Sequence, residues 1–570
     1  YESDAAPGNW RNTITLVADD EHIKNGSVSI DDLDHTRQAE DVAALLPPGF
    51  DLSKIYMINY PAVQNASVSG ITKPQVNEDL VAQLNQGTVI FNMVGHSHER
   101  QFAHENVFSL SNEVPLLENL NKLPFLIVAS CAFGRFDGPA EKFIAEELLL
   151  KPDGGIIASF ASARLSYPGP NGTLNNYLIW SLFRNPVNPA RLGDAVRTAK
   201  NMYQNENTEK YHLLGDPALV LKTPRQTFTI IDVNPDSFRA LSRVTVTGEL
   251  NLARSETDAP KLYFKVFDSV QKLTYSPTTA SYVKYSMPGN VIFRGTAQVT
   301  NNQFQIKFIV PKDISYGGQA GRISGYVAGN QVSAVGYRNN LYLGGTDTSL
   351  RDFEGPKITI GFKNRRFQSG DVVPENPVLE VAICDSGCGI NLTGEVGHKI
   401  TLVGDDQTAP KVDLTPRFNY DQDSYFQGKI EYPLGNLAPG NHRVQLKAWD
   451  NFNNSSTAEA EFVIVEAGKL LLQDVLNYPN PFRDKTVFTL NLNYPAEISI
   501  KIYSLAGRLI RHIPDLTAQQ GFNALFEWDG TDVEGDRLAN GVYLFLISAR
   551  AETGGQVLHA GEVGKLVIMH

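Results

Sequence analysis

Cysteine is scarce in this chain, with three in 570 residues. Cys384 and Cys388 sit in Cys-Asp-Ser-Gly-Cys, close enough to close a small disulfide loop in an oxidising compartment. Cys131 has no partner in sequence, which leaves two readings: a buried, inert thiol or a catalytic one. No apolar run reaches the roughly 20 residues that span a bilayer as a helix, so any membrane association is expected from another chain or a later modification. Basic blocks are missing too, and the net charge is −12. Phosphate binding needs clustered Lys and Arg, so nucleic acid is excluded as the main partner. No initiator Met precedes Tyr1, and the start has no signal-peptide core. A mature form or fragment is the expectation.

Turns and strands, by contrast, are abundant. There are 46 Gly and 31 Pro, with 42% hydrophobic and 20% charged residues, a composition suited to a folded, strand-rich chain. At this length roughly three to five domains are expected.

Residues 1–224 alternate apolar strands with helical stretches. Strands are expected at Thr13–Ala18, Lys54–Ile58, Thr88–Val94, Leu123–Ser130 and Gly155–Phe160, and helices at Asp34–Leu46, Gln75–Gln86, Ala140–Leu150 and Leu192–Asn205. Such alternation implies βαβ units around a mostly parallel sheet, and the unbroken apolar strands imply burial on both faces. After Pro224 the pattern changes to short alternating runs split by Gly, Pro, Asn and Asp. The fold class is therefore multidomain: an α/β domain followed by three β-sandwiches, at 225–352, 353–466 and 467–570.

Two consecutive strands end in reactive side chains. Thr88–Val94 runs into Gly95-His96, and Leu123–Ser130 runs into Cys131, 35 residues later. Side by side in a parallel sheet, they bring an imidazole and a thiol to the carboxyl edge, where open α/β sheets place ligands. A thiolate attacks carbonyls, and an imidazole both lowers the thiol pKa and protonates the leaving amine. Gly95 lets backbone approach a substrate, and the N–H groups near Gly95 and of Cys131 form a candidate oxyanion hole. Such donors are worth roughly 2.7–4 kcal/mol each.

Competing readings exist at each position. His96 also fits a core or loop-end histidine, and His96, His98 and His104 together suggest a zinc site without the usual ligand framework. Asp19 and Asp20 suit a metal, a polar pocket or a helix cap. Glu40 and Asp41 are candidates to orient His96, and Glu40 is taken as the possible third member. The segment Tyr211–Leu221 reads as a strand around a Gly-Asp-Pro turn.

The segment Val94-Gly-His-Ser-His-Glu99, followed by Phe102-Ala-His-Glu105, resembles the histidine segment of gingipain-type cysteine peptidases. Ala129-Ser-Cys-Ala-Phe-Gly-Arg-Phe-Asp137 resembles their nucleophile segment. Arg135–Pro139, Leu213–Ala218 and Lys447-Ala-Trp-Asp-Asn-Phe-Asn-Asn-Ser-Ser456 are similar to one branch, the C-terminal signal peptidases (sortases) of the type IX secretion system. Tyr478–Phe482, Ile502–Arg508, Trp528–Gly530 and Asn540–Tyr543 resemble the type IX C-terminal sorting domain. Ser97, Ala132 and Phe102 depart from the family's Gly, acidic residue and Trp. The family's large amino-terminal region has no counterpart in these 570 residues, so a carboxyl-terminal portion is expected.

The resemblance implies a caspase-hemoglobinase fold, with Cys131 as nucleophile and His96 as base and acid. It implies a cell-surface, outer-membrane-associated endopeptidase and transpeptidase that removes sorting domains from exported cargo. An amine of anionic lipopolysaccharide is the alternative acceptor to water, and outer-membrane type IX components are the implied partners. No cofactor or catalytic metal is required. Calcium is implied by gingipain relatives, with acidic turns at 405–407 and 421–423 as its candidates. Two rival readings are a secreted protease digesting external protein and an inactive surface adhesin or scaffold.

Overall fold

The computed structural model describes residues 8–20, 23–24, 27–28, 33–65, 70–105, 107–139, 141–186, 188–250, 260–277, 281–316, 320–329, 332–363, 365–406, 408, 410–465, 468–553 and 556–570. Ala140, the expected start of a helix, and Gln407, in an expected calcium turn, lie outside them. The chain forms two compact units, Tyr1–Leu350 with Gln422–Ser424, and Arg351–Asp421 with Tyr425–His570.

The first unit begins with a six-stranded sheet. Its elements are β1 (Thr13–Ala18), α1 (Leu33–Leu45), β2 (Asp51–Tyr56), α2 (Pro74–Gln86), β3 (Ile90–Val94), β4 (Phe125–Ala129), α3 (Ile144–Leu150), β5 (Ala158–Ser162), α4 (Pro168–Phe183), α5 (Leu192–Met202) and β6 (Tyr211–Gly215). The sheet order is β6-β5-β4-β3-β1-β2. All pairs are parallel except β5 with β6. Strands β1, β3, β4 and β5 are buried at every residue, which is why their sequences are continuous rather than alternating.

Helices cover both faces. Ile14, Leu16 and Ala18 of β1 join a core with Val42 of α1, Leu178 of α4 and Ala195 of α5. Val17 faces the other core, with Leu80 and Leu84 of α2 and Leu148 of α3. Helix α4 is a finding beyond the sequence reading. Its first turn, Pro168-Gly-Pro-Asn-Gly, looks like a loop, but proline is tolerated at a helix start, where its missing N–H has no intrahelical role. The helix is held from beneath by a reciprocal amide pair, Asn92 Nδ2 to Asn175 Oδ1 (2.8 Å) and Asn175 Nδ2 to Asn92 Oδ1 (3.1 Å).

A β-structure completes this unit. Strand Lys261–Phe267 pairs antiparallel with Val291–Gln298 and Ala320–Ala328, and Arg243–Glu249 pairs antiparallel with Thr229–Asn234 and Gln303–Ile309. Buried charges join it to the α/β sheet. Asp51 of β2 pairs with Lys265 (3.2 Å) and Arg322 (3.3 Å). Glu40 of α1 accepts from Lys54 Nζ (2.5 Å), Tyr56 Oη (2.7 Å), and the N–H (3.0 Å) and Oγ (2.9 Å) of Ser286 in the hairpin Gln271–Tyr275/Val283–Met287.

The second unit is all β. Val378–Cys384 pairs antiparallel with Lys357–Phe362 and Gln427–Pro433, and Gly440–Trp449 pairs antiparallel with Ser455–Ile464 and Thr401–Val403. In the last hundred residues, Thr486–Leu492 pairs with Leu472–Tyr478 and Gly521–Trp528. A second sheet runs Leu509–Ala518, Ala496–Ser504, Gly541–Thr553, Gln556–Ile568. Phe488, Ile500, Trp528 and Phe545 fill the core between them. The fold class is thus a mixed α/β domain followed by antiparallel β domains. No helix among the described residues is long and apolar enough to cross a membrane.

Burial pushes the Glu40 carboxyl up, but Lys54, Tyr56 and Ser286 outweigh it, and the group ends below its ordinary 4.5. A depressed carboxylate stabilises the fold fully above that ordinary value and loses the contribution as pH falls through the lower folded value. Glu40→Gln should therefore lower unfolding free energy by about 2–3 kcal/mol at pH 7. The deficit should shrink below pH 4.5, as measured by urea melts across pH.

Candidate active site at the carboxyl edge of the sheet

Parallel register sets the site. Ala18 of β1 pairs with Val94 of β3, and Val94 pairs with Ala129 of β4. Asp19, His96 and Cys131 therefore leave three neighbouring strands at one rim, with the Asp19 N–H on the Val94 carbonyl (2.9 Å). The sheet order reverses direction between β1 and β3, the switch point where crevices open in such sheets. His96 and Cys131 are both half-buried.

Around Cys131 the structure adds residues that sequence reading missed. Its Sγ donates to the Ser166 carbonyl (3.1 Å), while the Ser166 N–H (3.4 Å) and Oγ (3.8 Å) approach the sulfur. Ser166 is backed by Asn171 Nδ2 on its Oγ (3.0 Å), and Asn171 by Asn207 Nδ2 (2.9 Å). These residues lie 35 to 76 positions beyond Cys131, without a motif to signal them. Ala132, next to the thiol, has φ 52°, a left-handed conformation unusual for a residue with a Cβ. Its N–H donates to the Arg164 carbonyl (3.0 Å). Beyond Arg164 a cavity of about 250 Å³ is lined by Phe136, Asp137, Arg164, Glu206, Lys210 and His212. Ser97, a departure from the family pattern, donates Oγ to the Cys131 carbonyl (2.6 Å) and ties the two loops together.

Two expectations for this edge need correction. The Gly95 N–H is directed at the Ala129 carbonyl (3.4 Å), so it is not an oxyanion donor. Nor does Gly95 serve substrate approach. A Cβ there would fall 2.3 Å from Asp19 Cβ and 2.9 Å from Phe102 Cζ, so the glycine makes room for Asp19. Cys131 N–H, the other candidate donor, has no acceptor among the described residues.

Glu40 is the second correction. Its oxygens are committed to Lys54, Tyr56 and Ser286. The carboxylate beside the histidine is Asp19, only 1% exposed, whose Oδ2 accepts the His96 N–H (2.9 Å). One carboxylate oxygen of Asp19 and one ring nitrogen each from His96 and His104 lie within 4.8 Å of one another. His35 of α1, also missed, sets its ring edge-on to His96 at 4.9 Å, and His104 lies at 4.6 Å. The zinc triplet does not assemble as expected: His98 is exposed, with Nδ1 accepting the Arg100 N–H (3.2 Å).

Burial, then the Glu105 charge, pushes the Asp19 carboxyl well above its ordinary value. Glu105 is raised by burial and then by Asp20. Asp20 itself pairs with Lys73 (2.5 Å), whose Nζ also donates to the Met57 carbonyl (2.7 Å). The acidic turns considered for calcium are occupied by protein donors, Asp405 by His442 Nδ1 (2.6 Å) and Arg443 N–H (2.6 Å), and Asp421 by Gln427 (3.1 Å). Cys384 and Cys388 are both free thiols, so the disulfide loop does not form here.

Residues 1–222 match peptidase family C25. This stretch is similar to that family over 222 of the 570 residues. The family is one of cysteine peptidases, and its match covers the strand ends that carry His96 and Cys131. Residues 480–553 match the FlgD Ig-like domain. No curated protein matches the chain. Among solved structures, dimeric latent PorU from Porphyromonas gingivalis is similar at 24% identity and TM-score 0.30, over 72% of this chain and 41% of that one. The Arg-specific cysteine proteinase gingipain R (RgpB) is similar at 18% identity and TM-score 0.30, over 58% of this chain and 67% of that one. A complex of RgpB pro- and mature domains from P. gingivalis is similar at 17% identity and TM-score 0.30, over 59% and 69%. The chain thus spans less than half the length of the PorU chain.

Gly95→Ala in the C25 domain should force Asp19 or Phe102 to shift. The expected result is a loss of about 1–3 kcal/mol of stability, the cost of overpacking a tight site, read as a lower thermal midpoint.

Proposed function

We propose that this protein is a cysteine endopeptidase and transpeptidase of the PorU type, acting at the cell surface on exported cargo that carries C-terminal sorting domains. The observation that carries the reading is the register of β1, β3 and β4, which delivers Asp19, His96 and a half-buried thiol to one rim of a C25 domain. The FlgD Ig-like match at the other end of the chain supports an exported protein.

In this reading His96 takes the thiol proton, and Sγ gives up its bond to the Ser166 carbonyl to attack the scissile carbonyl. The oxyanion falls against the Cys131 N–H. His96 returns the proton to the leaving amine, and a thioester remains. Water hydrolyses it, or an amine of anionic lipopolysaccharide displaces the thiol and forms a new amide. Asp19 positions His96 through the backbone bond at 2.9 Å and favours the imidazolium electrostatically. Asp19 is the third member proposed here, in place of Glu40.

Iodoacetamide should label Cys131 in the native protein, and Cys131→Ala should abolish processing of a sorting-domain cargo in a cell-based assay. Unchanged processing would refute the assignment. Asp19→Asn should lower kcat by on the order of 10²-fold or more. Protonation of Asp19 removes its charge, so wild-type activity should fall on the acid side at a pH above the ordinary Asp value of 3.8. A pH–rate profile in which Asp19→Asn lacks that limb checks the role.

A further inference from the structure

Ser166 meets the sulfur of Cys131 with three groups of different hydrogen-bonding character. Its carbonyl accepts from Sγ (3.1 Å), while its N–H (3.4 Å) and its Oγ (3.8 Å) both reach the sulfur as donors. A thiol needs an acceptor and a thiolate needs donors, so one residue can serve both states. Its placement follows from the segment that links β5 to α4. Ser166 is 8% exposed between Leu165 at 78% and Tyr167 at 63%, so the hydroxyl turns inward and the two apolar side chains outward.

The hydroxyl proton of Ser166 has two acceptors within reach and one direction closed to it. At rest Oγ donates to the Ser130 carbonyl (3.2 Å). Asn171 Nδ2 donates to Oγ (3.0 Å), so the proton cannot point toward α4. That amide is held in this sense by Asn207 Nδ2, which donates to Asn171 Oδ1 (2.9 Å) and to the Tyr167 carbonyl (2.9 Å). Asn171 and Asn207 are both buried. The buried Ser130 carbonyl accepts a second hydrogen bond, from Tyr211 Oη (3.3 Å). It therefore keeps a donor when Ser166 turns away, and the usual cost of orphaning a buried carbonyl is not incurred.

We infer that Ser166 is a catalytic residue whose hydroxyl turns from the Ser130 carbonyl to Sγ as the thiolate forms, and that Asn171 and Asn207 are positioning residues that aim it. The role rests on the reading of Cys131 as nucleophile. In the step, the S–H proton passes to His96 and the bond from Sγ to the Ser166 carbonyl breaks. The N–H and O–H of Ser166 then donate to the sulfur, and Ser166 keeps its own proton throughout. Hydrogen bonds to an ionised partner are roughly twice as strong as neutral ones, so the turn favours the thiolate. The ionisable groups beside the thiol are His96 after β3 and Tyr211 of β6, while α4 and the short helix Glu206–Lys210 present the neutral Asn171 and Asn207. Burial pushes the Tyr211 hydroxyl above its ordinary value, so it remains a donor as pH rises through the thiol range.

The test follows iodoacetamide alkylation of Cys131 against pH in the full chain, read by mass spectrometry of the peptide that carries it. Ser166→Ala should move the midpoint of the pH–rate curve up by about one pH unit and slow alkylation about tenfold on its acid side, in line with the strength of a hydrogen bond to an ionised group. Ser166→Thr, which keeps the hydroxyl, should restore the wild-type curve, and Asn171→Ala should shift it in the same direction as Ser166→Ala. A purely structural role would lower the thermal midpoint and leave the curves superimposed. Superimposed wild-type and Ser166→Ala curves overturn the role, as does a Ser166→Thr curve that follows Ser166→Ala. Should Ser166→Ala fail to fold, the Asn171→Ala curve decides in its place, and superposition on wild type again overturns the role. Alkylation needs no peptide substrate, so cargo processing that survives Cys131→Ala would overturn the peptidase reading while the alkylation curves stand on their own.

Discussion

Everything at the candidate site depends on the parallel pairing of β1, β3 and β4. These strands are buried along both faces, so only their ends are free to carry polar chemistry. Because register aligns Ala18, Val94 and Ala129, the next residues of each strand emerge together. Close approach has a steric condition, met at Gly95, whose missing side chain leaves Asp19 its place under His96. The same rim carries the strained Ala132, held by the Arg164 carbonyl. Local strain at such a point persists only where surrounding contacts over-determine it.

A second theme is how the fold treats buried charge. Asp51 with Lys265 and Arg322, and Glu40 with Lys54, join the α/β sheet to the adjoining β-structure through compensated pairs. Buried Asp19 and half-buried Glu105 lack full compensation and are pushed toward the neutral form. Where charge is matched, its role is architectural; where it is not, the residues sit beside the His96 imidazole at the candidate site. Uncompensated burial is the usual mark of a functional group.

Much of the scaffold was legible in the chain. Strand β1 falls at Thr13–Ala18, as its apolar run indicates, and α2 and α5 begin within a residue of their expected starts. Other boundaries moved: β2 starts at Asp51 rather than Lys54 because Asp51 is drawn into the ladder by Lys265 and Arg322. Helix α4 was hidden by its proline- and glycine-rich first turn, and its apolar stripe has meaning only against the sheet. Gly95 was noticed for the wrong neighbour, since a glycine's use depends on what approaches it.

By itself the sequence determined the alternation of strands and helices, the turn-rich β domains and the placing of a histidine and a cysteine just past two consecutive strands. Those follow from periodicity and chain direction, which are local properties. Only the tertiary structure decided which carboxylate stands beside His96 and which backbone cradles Cys131. Asp19 lies 77 residues from His96, and Ser166 lies 35 from Cys131; contacts over such separations are set by sheet order and loop packing, which no short stretch of sequence encodes.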